Sequence, residues 1–202
     1  MKLKTIRPLF PAALLALILT ACSQDTVPTP NAPGFVYTVD PAYQRSAMPF
    51  APDTWGTEDQ VMLDTINAAR SRGITCHDAA GQATIYPPAP AVQLEGHLLR
   101  AATWQAQDMS ARNYMQHQAP APAPHGTMPI ERIANAGYRP ANGIQIGENL
   151  ARGYTDPAAV VLAWLGSTKG HCETLANANW TDIGIWNQNG FWAAEFARPV
   201  LE

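Results

Sequence analysis

Apolar side chains recur in steps of three and four along two long segments, residues 58–72 and 94–114. This period predicts two amphipathic helices, each with an apolar stripe that faces a core. Two shorter helices are predicted at residues 128–136 and 157–167, and Asp156 precedes a proline where it is suited to cap the second of them. The hydrophobic pattern therefore predicts four helices.

Strict alternation of polar and apolar residues appears in the C-terminal part of the chain. It predicts a strand at residues 144–150 and two more at residues 180–186 and 191–196. The last two flank Asn189-Gly190, a pair typical of a tight hairpin turn. These strands should therefore pair in an antiparallel sheet.

The order of the elements predicts the fold class. Helices precede strands and do not alternate with them as βαβ units, so we expect an α+β fold in which helices cover an antiparallel sheet. Residues 76–90 contain one glycine and three prolines. We expect no regular structure in that segment.

The N-terminal 22 residues have the order of an export signal. A basic start precedes an apolar run at residues 9–19, and small residues lead to Cys22. The run is shorter than the roughly 20 apolar residues that cross a bilayer. Leu19-Thr20-Ala21-Cys22 resembles the lipobox of bacterial lipoproteins, in which the cysteine is lipidated and becomes the new N-terminus.

We therefore expect residues 1–21 to be removed and lipid on Cys22 to hold the protein at a membrane of the cell envelope, outside the cytoplasm. The alternative is an ordinary signal peptide cleaved near an incidental cysteine. Residues 22–55 are rich in proline and alanine and show no apolar period, so we interpret them as a tether. Residues 56–202 then form one domain.

The charge of the chain bears on its partners. The formal net charge is −3, and lysine and arginine residues are not clustered. Residues 1–21 carry three basic residues and no acidic one, so their removal makes the mature chain more acidic. Nucleic acid is therefore not an expected partner.

Two cysteines, Cys76 and Cys172, are left as a pair if Cys22 carries lipid. An even number in an oxidising compartment predicts a disulfide. A bridge that closes the long loop from residue 76 to residue 172 contributes on the order of 4 to 5 kcal/mol to stability. The alternative is two free thiols, one of them a catalytic nucleophile. The neighbouring His171 does not by itself form a dyad with Cys172, because residues adjacent in sequence seldom aim their side chains at each other.

Five short segments follow one another in a characteristic order between residues 59 and 199. They are Asp108-Met109 with Asn113-Tyr114-Met115-Gln116-His117, Glu131-Arg132-Ile133 with Ala136-Gly137-Tyr138, Gly147-Glu148-Asn149-Leu150, Ala163-Trp164-Leu165-Gly166-Ser167, and Gly170-His171. Together they resemble the CAP superfamily, which gathers cysteine-rich secretory proteins, antigen 5 and the plant pathogenesis-related 1 proteins. The resemblance implies a three-layer α-β-α sandwich with a central antiparallel sheet.

The resemblance also implies a site, because two histidines and two acidic residues of that family meet in an open cleft. In this chain it implies His117, Glu148 and His171, with Glu131 as the fourth member. His125 competes for the fourth place, because the proline-rich insert at residues 118–124 differs from the usual glycine-rich loop. The implied ligand is a divalent cation. Neutral imidazole favours zinc, copper or nickel over magnesium, with zinc as the first choice, while the carboxylates also admit manganese or calcium.

Two functions follow as expectations. The first is a non-catalytic binding module whose cleft holds a cation and which binds a lipid, a sterol or another component of the cell envelope. The second is a hydrolase with Ser167 or a metal-activated water as nucleophile, His117 or His171 as base, and Glu148 as the residue that orients the base. We favour the binding module, because residues 165–169 lack the second glycine of Gly-x-Ser-x-Gly.

Overall fold

The computed structural model describes residues 56–140 and 145–199. The predicted leader, the lipidation site Cys22, the tether and Ile144 lie outside the described residues, so the predictions made for them stay predictions. Within the described ranges, no helix is both long enough and apolar enough to cross a membrane.

Five helices and six strands form the described part of the chain. In order they are α1 Thr57–Arg72, β1 Ile74–His77, β2 Ala83–Tyr86, β3 Gln93–Leu94, α2 Gly96–Arg112, α3 Pro129–Asn135, β4 Ile146–Arg152, α4 Pro157–Leu165, α5 His171–Ala176, β5 Asp182–Gln188 and β6 Phe191–Ala197.

The central sheet has four strands in the order β3-β5-β6-β4. Strand β6 pairs antiparallel with both β4 and β5, and the predicted hairpin joins β5 to β6 through Asn189 and Gly190, both with positive φ. The short β3 is parallel to β5 over two residue pairs, so the sheet is antiparallel except at this edge. All seven residues of β6 are buried, as expected for a strand covered on both faces.

Helices cover both faces of this sheet. On one face α1, α4 and α5 pack around a core that includes Met62, Trp164 and Phe196. On the other face α2 packs against Leu150 and Ala193, and α2 and α3 enclose a third cluster around Ile133. The fold is therefore the expected three-layer α+β sandwich.

Strand β5 and helix α2 approach each other unusually closely at Gly184. A Cβ at this position would lie 2.0 Å from the backbone carbon of Leu98 and 2.2 Å from the backbone nitrogen of Leu99. A residue without a side chain is therefore needed where α2 lies on the sheet.

The prediction that residues 76–90 lack regular structure is wrong for the first part of the segment. Strands β1 and β2 form a separate antiparallel hairpin with Cys76 opposite Thr84. Its turn is closed by Asp78, whose Oδ1 accepts hydrogen bonds from the backbone N–H groups of Ala80 and Gln82. The prolines begin only at residue 87, after the second strand has ended.

The predicted ends of the long helix need correction, and one short helix was missed. The long helix begins at Gly96 and not at residue 94, because Glu95 caps it by accepting a hydrogen bond from the N–H of Leu98. It ends at Arg112, because Asn113 adopts the left-handed conformation. Helix α5 was not predicted, since a six-residue segment is too short to show a helical period.

The predicted disulfide is confirmed. Cys76 and Cys172 are bonded, with their Cα atoms 5.7 Å apart, and the bridge links β1 to the first turn of α5. Both residues are buried. The alternative of two free thiols is therefore excluded.

Candidate functional site

The site is built around β4, which lies at one edge of the central sheet. Successive side chains of a strand point to opposite faces, so Glu148 and Asn149 contact helices on opposite sides of the sheet. Glu148 contacts Arg132 of α3, whereas Nδ2 of Asn149 donates to the backbone oxygen of His171, the first residue of α5. An edge strand can in this way bring residues of both helical layers to one place.

Glu148 is buried and both of its carboxylate oxygens are engaged. Oε1 lies 2.6 Å from Nδ1 of His117, and Oε2 accepts a 2.5 Å hydrogen bond from Nη2 of Arg132. Burial alone would raise the pKa of Glu148, but the charge of Arg132 and the hydrogen bond from His117 outweigh burial and lower this pKa to about 2. Since an ionised carboxylate only accepts hydrogen bonds, Nδ1 of His117 is the donor.

Arg132 holds His117 in place from a second direction. Its Nη2 donates to the backbone oxygen of His117 at 3.1 Å, and its Nη1 donates to the backbone oxygen of Thr127 at 3.0 Å. Burial would lower the pKa of Arg132, but Glu148 and Glu195 raise it. The guanidinium therefore remains charged and fixes both the backbone of His117 and the carboxylate that faces its ring.

A second carboxyl group, Glu195, lies beside Glu148 and was missed by the sequence reasoning. The two residues are directly opposite in the β4–β6 ladder, and Glu195 is completely buried. Burial, and then the charge of Glu148, raise the pKa of Glu195 well above its ordinary value. Its sequence signal is a single acidic residue in the otherwise apolar strand Phe191–Ala197.

His171 is buried and forms a different contact. Its Nδ1 lies 2.9 Å from Oγ of Ser167, which also accepts a hydrogen bond from the backbone N–H of Lys169. Burial, followed by the charges of His117 and Lys169, lowers the pKa of His171 to about 4. His171 is therefore neutral at neutral pH and lies within electrostatic range of His117.

The two candidates for the fourth position make other contacts. Oε2 of Glu131 accepts hydrogen bonds from the backbone N–H groups of Thr127 and Met128, so this oxygen serves the start of α3. The ring of His125 stacks on Trp104 with centroids 4.1 Å apart. Glu131 thus caps α3, and His125 packs on Trp104 of α2.

The arrangement consists of two pairs and does not form one catalytic triad. Glu148 contacts His117, whereas Ser167 contacts His171, so the acid and the hydroxyl are paired with different imidazoles. In the part of the chain that the structure describes, no three His, Cys, Asp or Glu side chains are grouped as around a metal ion. With Nδ1 of each ring engaged, a cation would bind through Nε2 of the two imidazoles.

Known proteins share this fold. Residues 63–187 match the family model described as the cysteine-rich secretory protein family, CAP. The uncharacterized protein YkwD of Bacillus subtilis strain 168 is 33% identical over 109 residues, which are 52% of this chain and 38% of that protein. A crystal structure of an extracellular protein with an SCP domain from Bacillus anthracis is similar with a TM-score of 0.57 and 23% identity, over 75% of this chain and 45% of that one. This chain thus spans less than half the length of either relative.

Proposed function

Because the chain belongs to the cysteine-rich secretory protein family, we propose that it is an extracytoplasmic, lipid-anchored binding module and not an enzyme. Its cleft at His117, Glu148 and His171 holds a divalent cation and presents it to a lipid, a sterol or another ligand of the cell envelope. Nucleic acid is not a partner, in keeping with the net charge of −3.

The observation that carries this proposal is the pairing of Glu148 with both His117 and Arg132. A carboxylate that accepts the Nδ1–H of a histidine fixes the tautomer in which Nε2 has the lone pair, and metal-binding histidines are commonly held in this way. His171 is neutral at neutral pH and can add a second nitrogen. Two imidazole donors favour zinc over calcium or magnesium.

The carboxylates take supporting parts in this proposal. Both oxygens of Glu148 and one oxygen of Glu131 are already hydrogen-bonded. The protein therefore supplies two nitrogens, and water or the envelope ligand completes the coordination. Such a site binds zinc more weakly than one with four protein ligands and leaves positions open for a ligand.

The extracytoplasmic location has independent support. The buried Cys76–Cys172 disulfide is typical of proteins that mature in an oxidising compartment. The lipobox-like residues 19–22 give the means of anchoring. The similar Bacillus anthracis protein is itself described as extracellular.

Calorimetric titration of the chelator-stripped protein with zinc tests the proposal. The double variant His117→Ala/His171→Ala should lose binding by about 100-fold or more, because ligand and supporting residues of zinc sites have effects of this size. His77→Ala removes an exposed imidazole on β1 and is the matched control, which should bind as the wild type does. Heats unchanged by the double substitution would show that zinc binds elsewhere.

One observation favours a hydrolase as the second candidate, namely the 2.9 Å contact between Ser167 Oγ and His171 Nδ1. As a base, His171 would have to accept the Ser167 proton on Nδ1, whereas as a zinc ligand it must donate from Nδ1 and keep the lone pair on Nε2. A pKa lowered to about 4 makes this imidazole a weak base at neutral pH. Ester, peptide or glycoside turnover that disappears in Ser167→Ala would replace the binding module with the hydrolase.

A further inference from the structure

Helix α5 carries His171 into the cleft but cannot hold itself in place. It has six residues, and its N-cap is Gly170, which has no side chain to cap it. Helices this short are not stable in isolation. The position of His171 therefore depends on the contacts that fix α5 to the rest of the molecule.

The C-terminal end of α5 is held by Arg70, a guanidinium that is completely buried. Its Nη1 donates to the backbone oxygens of Leu175 and Asn177 at 2.7 and 2.9 Å. A positive charge at this end complements the partial negative charge of the helix terminus. Arg70 thus ties the last turn of α5 to α1.

The N-terminal end of α5 is held by the Cys76–Cys172 disulfide. Cys172 follows His171 directly, and its Cα lies 5.7 Å from that of Cys76 in β1. The backbone oxygen of His171 also accepts from Asn149. The covalent bond is the strongest of these ties, and it acts one residue away from the cleft imidazole.

Small displacements of this turn matter to the cleft. The ring of His171 is placed by its 2.9 Å contact with Ser167, which belongs to the segment after α4. A hydrogen bond of this kind is lost when the separation grows by about 1 Å. A loosened first turn of α5 would therefore separate His171 from Ser167 and change its distance to His117.

We propose that the Cys76–Cys172 disulfide is the positioning device for His171, so that the cleft is assembled in the oxidised protein and loosened in the reduced chain. This inference rests on the proposed function for its meaning. Closing the bridge removes two electrons and two protons from the two thiols, and thiol–disulfide exchange passes them to a disulfide-bearing oxidant of the outer compartment. The cleft then forms after export, and the reduced chain in the cytoplasm does not hold zinc there.

The test compares the oxidised full-length protein with Cys76→Ala/Cys172→Ala at a temperature where circular dichroism shows both to be folded. The variant should bind zinc at least tenfold more weakly, and its His171 ring nitrogens should shift in NMR spectra as the contact with Ser167 is lost. Met62→Ala is the matched control, because it destabilises the same core through α1 and removes none of the bonds that hold α5. It should keep both the zinc affinity and the His171 signals.

Wild-type protein reduced with a phosphine, which competes for zinc far less than a dithiol does, is a second route to the loosened cleft and should regain zinc affinity on reoxidation. Equal zinc affinity and equal His171 signals with and without the bridge would overturn the inference. Loss of the fold by both routes would overturn it as well, because the bridge would then support the whole domain and not His171 in particular. If the oxidised wild type binds no zinc, the proposed function fails and the NMR comparison alone decides the inference.

Discussion

Two carboxyl groups face each other across β4 and β6, and the pKa of Glu148 is lowered while that of Glu195 is raised. Glu148 is ionised because the charge of Arg132 and the hydrogen bond from His117 lower its pKa, whereas burial and the charge of Glu148 raise the pKa of Glu195 and favour its protonated form. Two ionised carboxylates would leave this buried cluster with an uncompensated charge, which is costly where the dielectric constant is low. Protonation of Glu195 avoids this cost, so Glu148 can stay ionised and orient His117.

The substitution Glu195→Gln should stabilise the protein at neutral pH. In the unfolded chain Glu195 loses its proton near the ordinary pKa of 4.5, whereas burial and the charge of Glu148 raise its pKa well above that value in the folded state. Stability from this group is thus complete below that pH and falls as the pH rises toward the folded pKa, by about 1.4 kcal/mol per unit. Glutamine keeps the shape of the neutral acid and does not titrate.

Urea unfolding at a series of pH values measures this effect. The stability difference between Glu195→Gln and the wild type should be near zero at pH 4 and should grow in favour of the variant toward pH 7. Glu58→Gln changes an exposed carboxylate of α1 and is the matched control. A difference that stays constant with pH would show that Glu195 is ionised in the folded protein.

Among the secondary-structure elements, α2 and β5 depend on each other most closely. A methyl group on Gly184 would meet backbone atoms of Leu98 and Leu99, which cannot rotate away as a side chain can. We expect Gly184→Ala to lower the free energy of unfolding by about 2 kcal/mol or more, the size of other overpacking effects in cores. Thermal unfolding measures this loss of stability.

Gly166→Ala is the control, because its new Cβ would be 3.6 Å from the nearest neighbour, and it should change stability by less than about 1 kcal/mol. Equal effects at both sites would contradict the close approach of α2 and β5.

How far the sequence predicts these elements depends on their length. The long α1 and α2 repeat the helical period several times, and Asn189-Gly190 specifies its own turn, so the sequence alone predicts these elements. Helix α5 and the β1–β2 hairpin are held by the disulfide, by Arg70 and by the Asp78 turn, which are contacts that no local period reveals. The residues of the cleft came from a family resemblance, because positions 117, 148 and 171 lie on separate segments that meet only in the fold.

The charge partners of the cleft were beyond sequence reasoning for the same reason. Arg132 was seen as the neighbour of Glu131, but its guanidinium bonds to Glu148 on the edge strand. Whether Glu131 joins the cleft or caps α3 depends on the direction of one side chain, and its hydrogen bonds serve the cap.

At the scale of the whole molecule, the domain is predicted to stay at a membrane through its lipobox-like residues 19–22. Its described part has no helix fit to span one, and lipid on Cys22 is the predicted anchor. We expect Cys22→Ala to release the folded domain from the membrane fraction, since stable attachment requires the acyl chains. Cell fractionation with a high-salt wash measures this, with Ser23→Ala as the matched control that should stay attached. A Cys22→Ala protein that remains membrane-bound after the wash would reveal another anchor.

The central claim is that the imidazoles of His117 and His171 hold one divalent cation between the two helical layers. Anomalous diffraction at the zinc edge from crystals of the oxidised protein grown with zinc tests it most directly. The account predicts one strong peak within about 2.0 to 2.1 Å of Nε2 of both histidines, the usual zinc–nitrogen distance, with Glu148 still bonded to Nδ1 of His117. A cleft with no anomalous peak, or a peak coordinated by other residues, would contradict it.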